Sequence, residues 1–263
     1  MTDTLGVCEF WGEGRCVIRR EDGTTVEIAT TEIVSGKPVP PRPSIRDRVS
    51  PRDAELHGLA LWPSLQTSAL GDWIVRHETE PIGRRRKRAN SALAYGDPGL
   101  PISQALAALE DAYRRLGLPP MLQADLTDDR FADASWELVP GGEVHFQVTT
   151  PAHLLRRVRP SAEVTLTEES ASASATIDGV GVAHAALHED WVGIHSMWVE
   201  PDQRRRGVAS ALLAELVDWA ASRGATTAWL HVETANGGAL RLYDGLGFRT
   251  HHSTRYWAAA ASG

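Results

Sequence analysis

A short basic loop followed by a predicted helix is the part of the sequence best suited to binding an anion. Arg204, Arg205 and Arg206 are followed by Gly207 and Ala209, directly after a predicted strand. Because glycine and alanine have little or no side chain, backbone N–H groups here can approach a ligand closely. Free N–H groups and the helix dipole favour anions at a helix start, and arginine side chains add charge-assisted contacts. The loop therefore predicts a cradle for a pyrophosphate.

The loop does not fit the two commonest phosphate-binding patterns. The sequence lacks both Gly-x4-Gly-Lys-Ser/Thr and Gly-x-Gly-x-x-Gly, which are the patterns of a P-loop and of a dinucleotide site. A helix start that is basic without any functional reason is the alternative interpretation. A second motif farther along the chain favours the functional one.

Two motifs in a fixed order carry a family resemblance. The chain has Arg204-Arg-Arg-Gly-Val-Ala209 after the apolar strand Met197-Trp-Val-Glu-Pro201, and later Asn236-Gly-Gly-Ala-Leu-Arg-Leu-Tyr-Asp-Gly-Leu-Gly-Phe248. These residues follow the patterns Arg/Gln-x-x-Gly-x-Gly/Ala and Asn-x-x-Ala-x-x-Leu-Tyr-x-x-Leu-Gly-Phe. From Gly181 to Tyr256 the sequence thus resembles the GNAT superfamily of acyl-CoA-dependent N-acyltransferases.

The resemblance implies a binding site for acetyl-CoA. The backbone of the strand would pair with the pantetheine arm, the loop would hold the pyrophosphate, and the second motif would complete the site. The implied cofactor-binding residues are Met197, Trp198 and Val199, then Arg204, Arg205, Arg206, Gly207, Val208, Ala209 and Ser210, and finally Asn236, Ala239 and Tyr243. For Asn236, a helix cap is an alternative that is compatible with contact to the cofactor.

Tyr243 is the general acid that the resemblance implies. A thiol has a pKa of about 8.5 and a phenol one of about 10, so a phenol can protonate the departing coenzyme A thiolate. A core aromatic residue on a short helix is the structural alternative for this tyrosine.

The general base is less sharply defined. His231 and Glu233 alternate onto one face of a strand predicted over 227–232 and its extension,. His231 stands five residues before Asn236, where related amino-terminal acetylases often have an acidic residue. Histidine also titrates closest to neutral pH. Glu200 is a third candidate, and a purely structural role is the alternative for His231.

Composition disfavours several other classes of protein. The 263 residues carry 27 basic and 34 acidic side chains, a net charge of −7, which disfavours general binding to a nucleic acid backbone. The apolar runs are too short for a membrane span. Cys8 and Cys16 are too few for a disulfide scaffold, and no metal-ligand pattern is visible,. A reduced, cytoplasmic setting without a signal peptide is expected.

The predicted fold class is α/β (α+β), with a GNAT fold and its mixed central sheet. Strands and helices alternate after Pro160, a pattern that favours such a layer. A small N-terminal β domain, a proline-rich linker and segments such as Arg88-Ala-Asn-Ser-Ala-Leu93 and Gly117-Leu-Pro-Pro120 carry a weaker resemblance to two-lobed actinobacterial acetyltransferases, which implies two further parts. The predicted domains are a small β-barrel-like domain (Src-homology-3-like) with a Pro-rich linker over 1–49, a degenerate GNAT-like lobe over 50–158, and the catalytic domain over 159–263.

Local patterns in the N-terminal half give further expectations. Short strands are predicted at 15–20, 24–29 and 31–34, and a linker at 37–43,. A helix is predicted from Ser50-Pro51 to about Leu70, and Pro63 must break or kink it,. The basic run 84–88 is interpreted as a solvated loop, with an anion or partner patch as the alternative,.

The sequence thus predicts an acetyl-CoA-dependent N-acetyltransferase that acts on a primary amine by direct attack in a ternary complex. The absence of cysteine from the catalytic half disfavours an acyl-enzyme. The resemblance implies a protein lysine, an amino terminus or an amino acid such as glutamate as acceptor. The 7 Arg against 12 Asp and Glu after Pro160 favour a cationic one,. The alternative function is a non-catalytic acyl-CoA-binding sensor or interaction module.

Overall fold

The chain forms two compact units, Met1–Pro43 and Ser44–Gly263. The computed structural model describes residues 4, 6–20, 22–36, 45–81, 85–132, 135–161 and 163–260. The predicted linker at 37–43 and Arg84 of the basic run lie outside the described residues. Within those ranges, none of the helices is both long and apolar enough to cross a membrane.

The N-terminal unit contains a small antiparallel sheet. Its strands are β1 (Val7–Gly12), β2 (Arg15–Arg19) and β3 (Thr25–Ala29), in the order β1-β2-β3. The strands predicted at 15–20 and 24–29 were correct to within a residue, as β2 and β3, and β1 was missed. The strand predicted at 31–34 was wrong, because the chain turns at Thr30–Glu32 into a short 3₁₀ helix. The Ile33 N–H closes that turn on the Thr30 carbonyl at 3.3 Å.

The larger unit has five α-helices among its described residues. They are α1 (Pro51–Leu56), α2 (Ile102–Arg115), α3 (Pro151–Arg157), α4 (Val208–Ser222) and α5 (Gly237–Gly245). Ser50 caps α1 as predicted, accepting a hydrogen bond from the Asp53 N–H at 3.1 Å,.

The long helix predicted to reach Leu70 was wrong. After α1 the chain makes one 3₁₀ stretch, His57–Leu61, and then becomes extended at Trp62. The extended conformation suits the residue before Pro63, because proline disfavours helical backbone at the position preceding it. A strand follows over Leu65–Leu70.

One large mixed sheet occupies most of this unit. In the described residues it is 12-stranded, in the order β10-β11-β12-β13-β14-β9-β15-β7-β6-β5-β4, with β8 beside β15. The strands are β4 (Leu65–Leu70), β5 (Trp73–Glu78), β6 (Ala92–Leu93), β7 (Met121–Asp125), β8 (Trp136–Leu138), β9 (Val144–Thr149), β10 (Thr165–Glu169), β11 (Ser172–Ile177), β12 (Gly181–His188), β13 (Trp191–Val199), β14 (Thr227–Glu233) and β15 (Arg249–Ala259). The mixed sheet and the small N-terminal sheet confirm the predicted fold class.

The predicted boundary at residue 158 separates segments that share this sheet. β9 precedes the boundary but lies between β14 and β15, which both follow it. β15 in turn pairs with β7 and β8. The division into a degenerate lobe and a catalytic domain stays a prediction, and the two segments interlock through these strands.

The two faces of β14 pack against different neighbours. Ala228 and Leu230 belong to an apolar cluster with Leu212 and Leu216 of α4. Trp229 points the other way, into a cluster that includes Phe146. Because side chains alternate along a strand, the residues that follow Trp229 at every second position lie on its face, away from α4.

Candidate active site

A split between two parallel strands forms the centre of the candidate site. β13 and β14 pair from Trp191 opposite Thr227 to Ile194 opposite Leu230. Beyond that point β13 stays paired with β12 only, so its other edge is available to an extended ligand. Ser196 has a left-handed φ of 49°, and the pairing of β12 with β13 shifts register there. Such a bulge redirects the backbone beside a site.

The side chains of the predicted pantetheine strand divide between core and surface. Met197 and Val199 pack against the apolar cluster of α4. Trp198 is 48% exposed. This arrangement leaves the backbone of the strand as the element able to pair with a ligand.

The predicted pyrophosphate loop is exposed and lies at the start of α4. Gly207 has φ 85° and Arg205 has φ 63°, both left-handed. No side chain caps α4 at Gly207, so its first N–H groups are not blocked by a capping group. The Arg204 Nε donates to the Val199 carbonyl at 3.1 Å, which ties the loop to the end of β13. Uncapped N–H groups in a turn of this kind fit a pyrophosphate.

The second motif forms α5. Asn236 caps this helix, because its Oδ1 accepts a hydrogen bond from the Ala239 N–H at 3.1 Å. Tyr243 lies farther along α5 and is buried beside Phe248. The centroids of their rings are 5.6 Å apart. Burial raises the pKa of Tyr243, and the positive charge of Arg88 opposes that shift. The phenol is therefore protonated at neutral pH.

His231 lies on the face of β14 away from α4. Its side chain is 5% exposed, and its Nε2 is 2.9 Å from the Glu55 Oε1. The rings of Phe146 and Trp229 meet it edge-on, at centroid distances of 5.1 and 5.3 Å. Burial lowers the pKa of His231, while Glu55 opposes the shift.

Glu55 of α1 is a site residue that sequence reasoning missed. Its Oε1 also accepts from Gln123 at 2.9 Å and lies 3.2 Å from the His252 Nε2. Burial alone would raise the pKa of Glu55, but His231 and His252 outweigh burial and hold it well below the usual range. The carboxylate therefore stays ionised.

The two other base candidates are less well placed. Glu233 is 53% exposed at its side chain and forms an ion pair with Lys87 at 3.9 Å. Glu200 directly follows β13 and is partly buried. Its N–H donates to the Val180 carbonyl at 2.8 Å.

Arg88 and His195 also reach the site without having been predicted. The charge of Arg88 acts on Tyr243, His231 and His195, which belong to α5, β14 and β13. Burial lowers the pKa of His195 to about 3, with His184 and nearby arginines adding to the shift. A group with that pKa is a weak base at neutral pH. The basic run was the sequence signal for Arg88, and its interpretation as a solvated loop does not hold for this residue.

A group of possible metal ligands lies away from the split. The described residues bring His57, His188 and Glu189 together, with ligand atoms within 4.8 Å of one another. The two histidines already approach each other through their Nδ1 atoms at 2.9 Å. The sequence pattern had not suggested this grouping.

Comparison with known proteins finds similarity to acetyltransferases. A family model described as "Probable histone acetyltransferase Rv0428c C-terminal" matches residues 145–257. The chain is 29% identical over 268 residues to the probable histone acetyltransferase Rv0428c of Mycobacterium tuberculosis, covering 94% of this chain and 85% of that protein. It is 41% identical over 59 residues to the ribosomal protein bS18-alanine N-acetyltransferase of Escherichia coli, covering 22% of this chain and 40% of the enzyme.

A solved structure shares the fold over most of the chain. The GCN5-related N-acetyltransferase from Kribbella flavida superposes with a TM-score of 0.63 at 17% identity, covering 83% of this chain and 96% of the other. The similarity in sequence over 94% of the chain, the shared fold and the two motifs on β13–α4 and α5 make this chain similar to N-acetyltransferases of the GNAT superfamily.

Proposed function

We propose that this enzyme transfers an acetyl group from acetyl-CoA to a primary amine by direct attack while both are bound at the split between β13 and β14. The observation that carries the proposal is the position of that split. The pairing of the two strands stops at Ile194 and Leu230, and β13 continues from there to Val199, from which the basic loop leads to the uncapped start of α4. Tyr243, on the neighbouring α5, lies within electrostatic reach of the same guanidinium as His231.

Binding of acetyl-CoA rests on backbone groups and on the basic loop. The edge of Met197, Trp198 and Val199 would pair with the amides of the pantetheine arm, as an added strand does. The N–H groups from Arg205 to Ser210 and the arginine side chains would hold the pyrophosphate. Asn236 and Ala239, at the start of α5, would border the arm. What acetyl-CoA supplies is an acyl group already activated as a thioester.

The reaction needs two proton transfers, one from the amine to a general base and one from Tyr243 to the leaving sulfur. The amine nitrogen forms a bond to the carbonyl carbon as the carbon–sulfur bond breaks. The amine gives up one proton to the base, directly or through water, and Tyr243 gives its phenolic proton to the sulfur. The raised pKa of Tyr243 keeps that proton in place until the thiolate forms. With Cys8 and Cys16 as the chain's cysteines, no thiol of the C-terminal part can carry the acetyl group.

His231 is the base that the geometry favours over Glu233. Because the Glu55 carboxylate can only accept, the His231 Nε2 must carry the hydrogen of their 2.9 Å contact,. That assignment leaves the Nδ1 of a neutral ring free to accept a proton. Glu55 acts through His231 and is therefore a positioning residue.

The test is acceptor-dependent release of coenzyme A thiol from acetyl-CoA, with the acetylated product identified by mass spectrometry. The acceptors are a lysine-rich protein, amino-terminal peptides, polyamines and amino acids. The first two are included because the relatives described above are named as acetyltransferases of a histone and of a ribosomal protein. We expect one class to stimulate release and to yield an acetyl-amine. Tight binding of acetyl-CoA with no release for any class would instead support the acyl-CoA-binding sensor.

A further inference from the structure

Two histidine rings meet at the end of the large sheet that lies away from the split. His57 begins the 3₁₀ stretch after α1, and His188 ends β12. Their Nδ1 atoms are 2.9 Å apart, although 131 positions separate the two residues in the chain. Glu189, next to His188, brings a carboxylate oxygen to within 4.8 Å of both nitrogens. Two nitrogen donors and one oxygen donor thus face a common point.

The backbone and the packing around this group hold its members in place. His57 is buried, and its ring stacks on the buried ring of Trp191, with centroids 4.6 Å apart and planes 7° apart. The turn between β12 and β13 is fixed to the start of β14. Its Asp190 carbonyl accepts hydrogen bonds from the Thr226 and Thr227 N–H groups at 2.8 and 3.1 Å. Both sides of the group are therefore pre-organised, which reduces the entropy lost when a ligand binds.

The spacing of the two nitrogens is close to the spacing that a metal ion requires. Zn²⁺ binds imidazole nitrogens at about 2.0–2.1 Å in a tetrahedral arrangement, which places two of them about 3.3 Å apart. The Nδ1 atoms of His57 and His188, at 2.9 Å, need to separate by only a few tenths of an ångström. Glu189 is exposed, so its carboxylate can rotate toward the ion without disturbing the core. A hydrogen bond between two neutral rings is the competing explanation of the short contact.

The donor set selects a class of ion. Two imidazoles and one carboxylate suit Zn²⁺ and its neighbours among the divalent transition metals, whereas Mg²⁺ and Ca²⁺ prefer sites made of oxygen. Asp190, the other acid of the turn, is already engaged, because its Oδ2 accepts a hydrogen bond from the Thr226 hydroxyl. Three protein ligands would leave the fourth position of the ion to water.

We propose that His57, His188 and Glu189 form a binding site for a divalent transition-metal ion, with Zn²⁺ as the ion best matched to the donors. The ion would link the 3₁₀ stretch after α1 to the turn between β12 and β13. It would act on stability and not on acetyl transfer, because the pairing of β13 with β14 separates it from the split. The inference revises the expectation from the sequence that the chain has no metal site, and it does not depend on the proposed function.

The experiment measures zinc binding by calorimetry and its effect on thermal unfolding. The parent protein is the full chain without a polyhistidine tag, and it carries Cys8→Ser, because the Sγ atoms of Cys8 and Cys16 are 3.8 Å apart and could bind zinc themselves. ZnCl₂ alone is the probe, with MgCl₂ as a second arm. We expect one Zn²⁺ per chain with a Kd of about 1 μM, weaker than a closed four-ligand site. At a hundredfold excess over Kd, the melting temperature should rise by about 5–10 °C. MgCl₂ should give neither effect.

Single substitutions in the parent protein test the ligands. His188→Gln removes a ligand at an exposed position, and it should weaken zinc binding at least about 30-fold and abolish the rise in melting temperature. Glu189→Gln should weaken binding about tenfold. The matched controls are His77→Gln, at a partly exposed histidine of β5, and Glu169→Gln, at an exposed glutamate beside the turn between β10 and β11. Both controls should bind zinc as the parent protein does.

The results separate a metal site from a hydrogen-bonded pair. X-ray absorption at the zinc edge should show nitrogen and oxygen neighbours at about 2.0–2.1 Å, with outer-shell scattering from two imidazoles. If zinc does not raise the melting temperature of the parent protein, the contact of His57 with His188 is a hydrogen bond only and the proposal is wrong. Equal zinc affinity of His188→Gln and the parent protein would place the ion elsewhere and would also overturn it.

Discussion

The Oε1 of Glu55 and the Nε2 of His231 are 2.9 Å apart, although 176 positions separate the two residues in the chain. Glu55 belongs to α1, in the part predicted as a degenerate lobe, and His231 to β14, in the part predicted as the catalytic domain. This contact fixes which nitrogen of His231 carries the hydrogen. The first part of the large unit thus helps to build the site as well as the sheet.

Replacement of Glu55 by glutamine should affect both stability and rate. We expect the free energy of unfolding to fall by about 2–4 kcal/mol, because buried donors lose a charged acceptor. The folded pKa of Glu55 lies below its unfolded value. Its contribution is therefore complete above the ordinary carboxyl pKa of about 4.3 and is lost as the pH falls below that value. Denaturant unfolding of both proteins from pH 7 to pH 3 measures this difference, which should shrink with acid.

A matched control for that substitution is Glu110→Gln. Glu110 of α2 accepts a hydrogen bond from the Trp136 ring N–H at 3.0 Å, far along the chain from β14. A glutamine can still accept this bond, so kcat should not change. A pH-independent difference between Glu55→Gln and the wild type would contradict the role of an ionised Glu55.

The rate of transfer should fall at acid pH through the ionisation of His231. Burial lowers its pKa from the ordinary value of 6.5, so kcat at saturating substrates should be constant above about pH 6.5 and decline below it. The groups that act electrostatically on the ring are Glu55 of α1, His252 of β15 and Arg88. Because Glu55 raises the pKa of His231, Glu55→Gln should move the decline to lower pH, with a loss of about tenfold in kcat.

His231→Gln tests the same assignment directly. The acid limb should disappear, and the remaining kcat should be about 100-fold lower, as expected when a general base is removed. An unchanged acid limb in this variant would assign the ionisation to another group.

The sequence motifs were informative where the site is local in the chain. The loop before α4 and the segment that forms α5 each carry the groups proposed to bind acetyl-CoA within a few residues. Their positions could therefore be predicted, as could Tyr243. Glu55 and Arg88 come instead from segments brought to β14 by the sheet, and no spacing within one element relates them to His231.

The sheet topology was beyond sequence reasoning for the same reason. The alternation of residues in β9 predicts that this segment is a strand, but it does not predict which strands it pairs with. Its insertion between β14 and β15 depends on pairings such as Phe146 opposite His231 and opposite His252. The strand Leu65–Leu70 was mistaken for helix because the preceding helical signal at Ser50-Pro51 is strong, and Pro63 only indicates a break,.

Replacement of Tyr243 by phenylalanine should remove the proton donor and leave binding intact. We expect kcat to fall about 100- to 1,000-fold, in the range typical of general acids, with the affinity for acetyl-CoA within about twofold of wild type. Single-turnover kinetics and calorimetry separate the two effects.

Tyr113→Phe is the control, because Tyr113 is a buried tyrosine whose hydroxyl donates to the Arg76 carbonyl at 2.9 Å. It should cost about 1 kcal/mol of stability with no change in kcat. A similar loss of rate in both variants would remove Tyr243 from the proton transfer.

The two ends of α4 provide a matched test of the pyrophosphate loop. Gly207 precedes the helix with φ 85°, and Gly224 follows it with φ 91°. A Cβ at either position would meet no atom within 4 Å. Replacement of either glycine by alanine should therefore destabilise the folded protein by about 1 kcal/mol through backbone strain. The melting temperatures of the two variants should fall by similar amounts. Only Gly207→Ala should weaken acetyl-CoA binding, by about tenfold, because relaxation of that turn misdirects the N–H groups at the helix start. Equal affinity of the two variants for acetyl-CoA would exclude this loop as the pyrophosphate site.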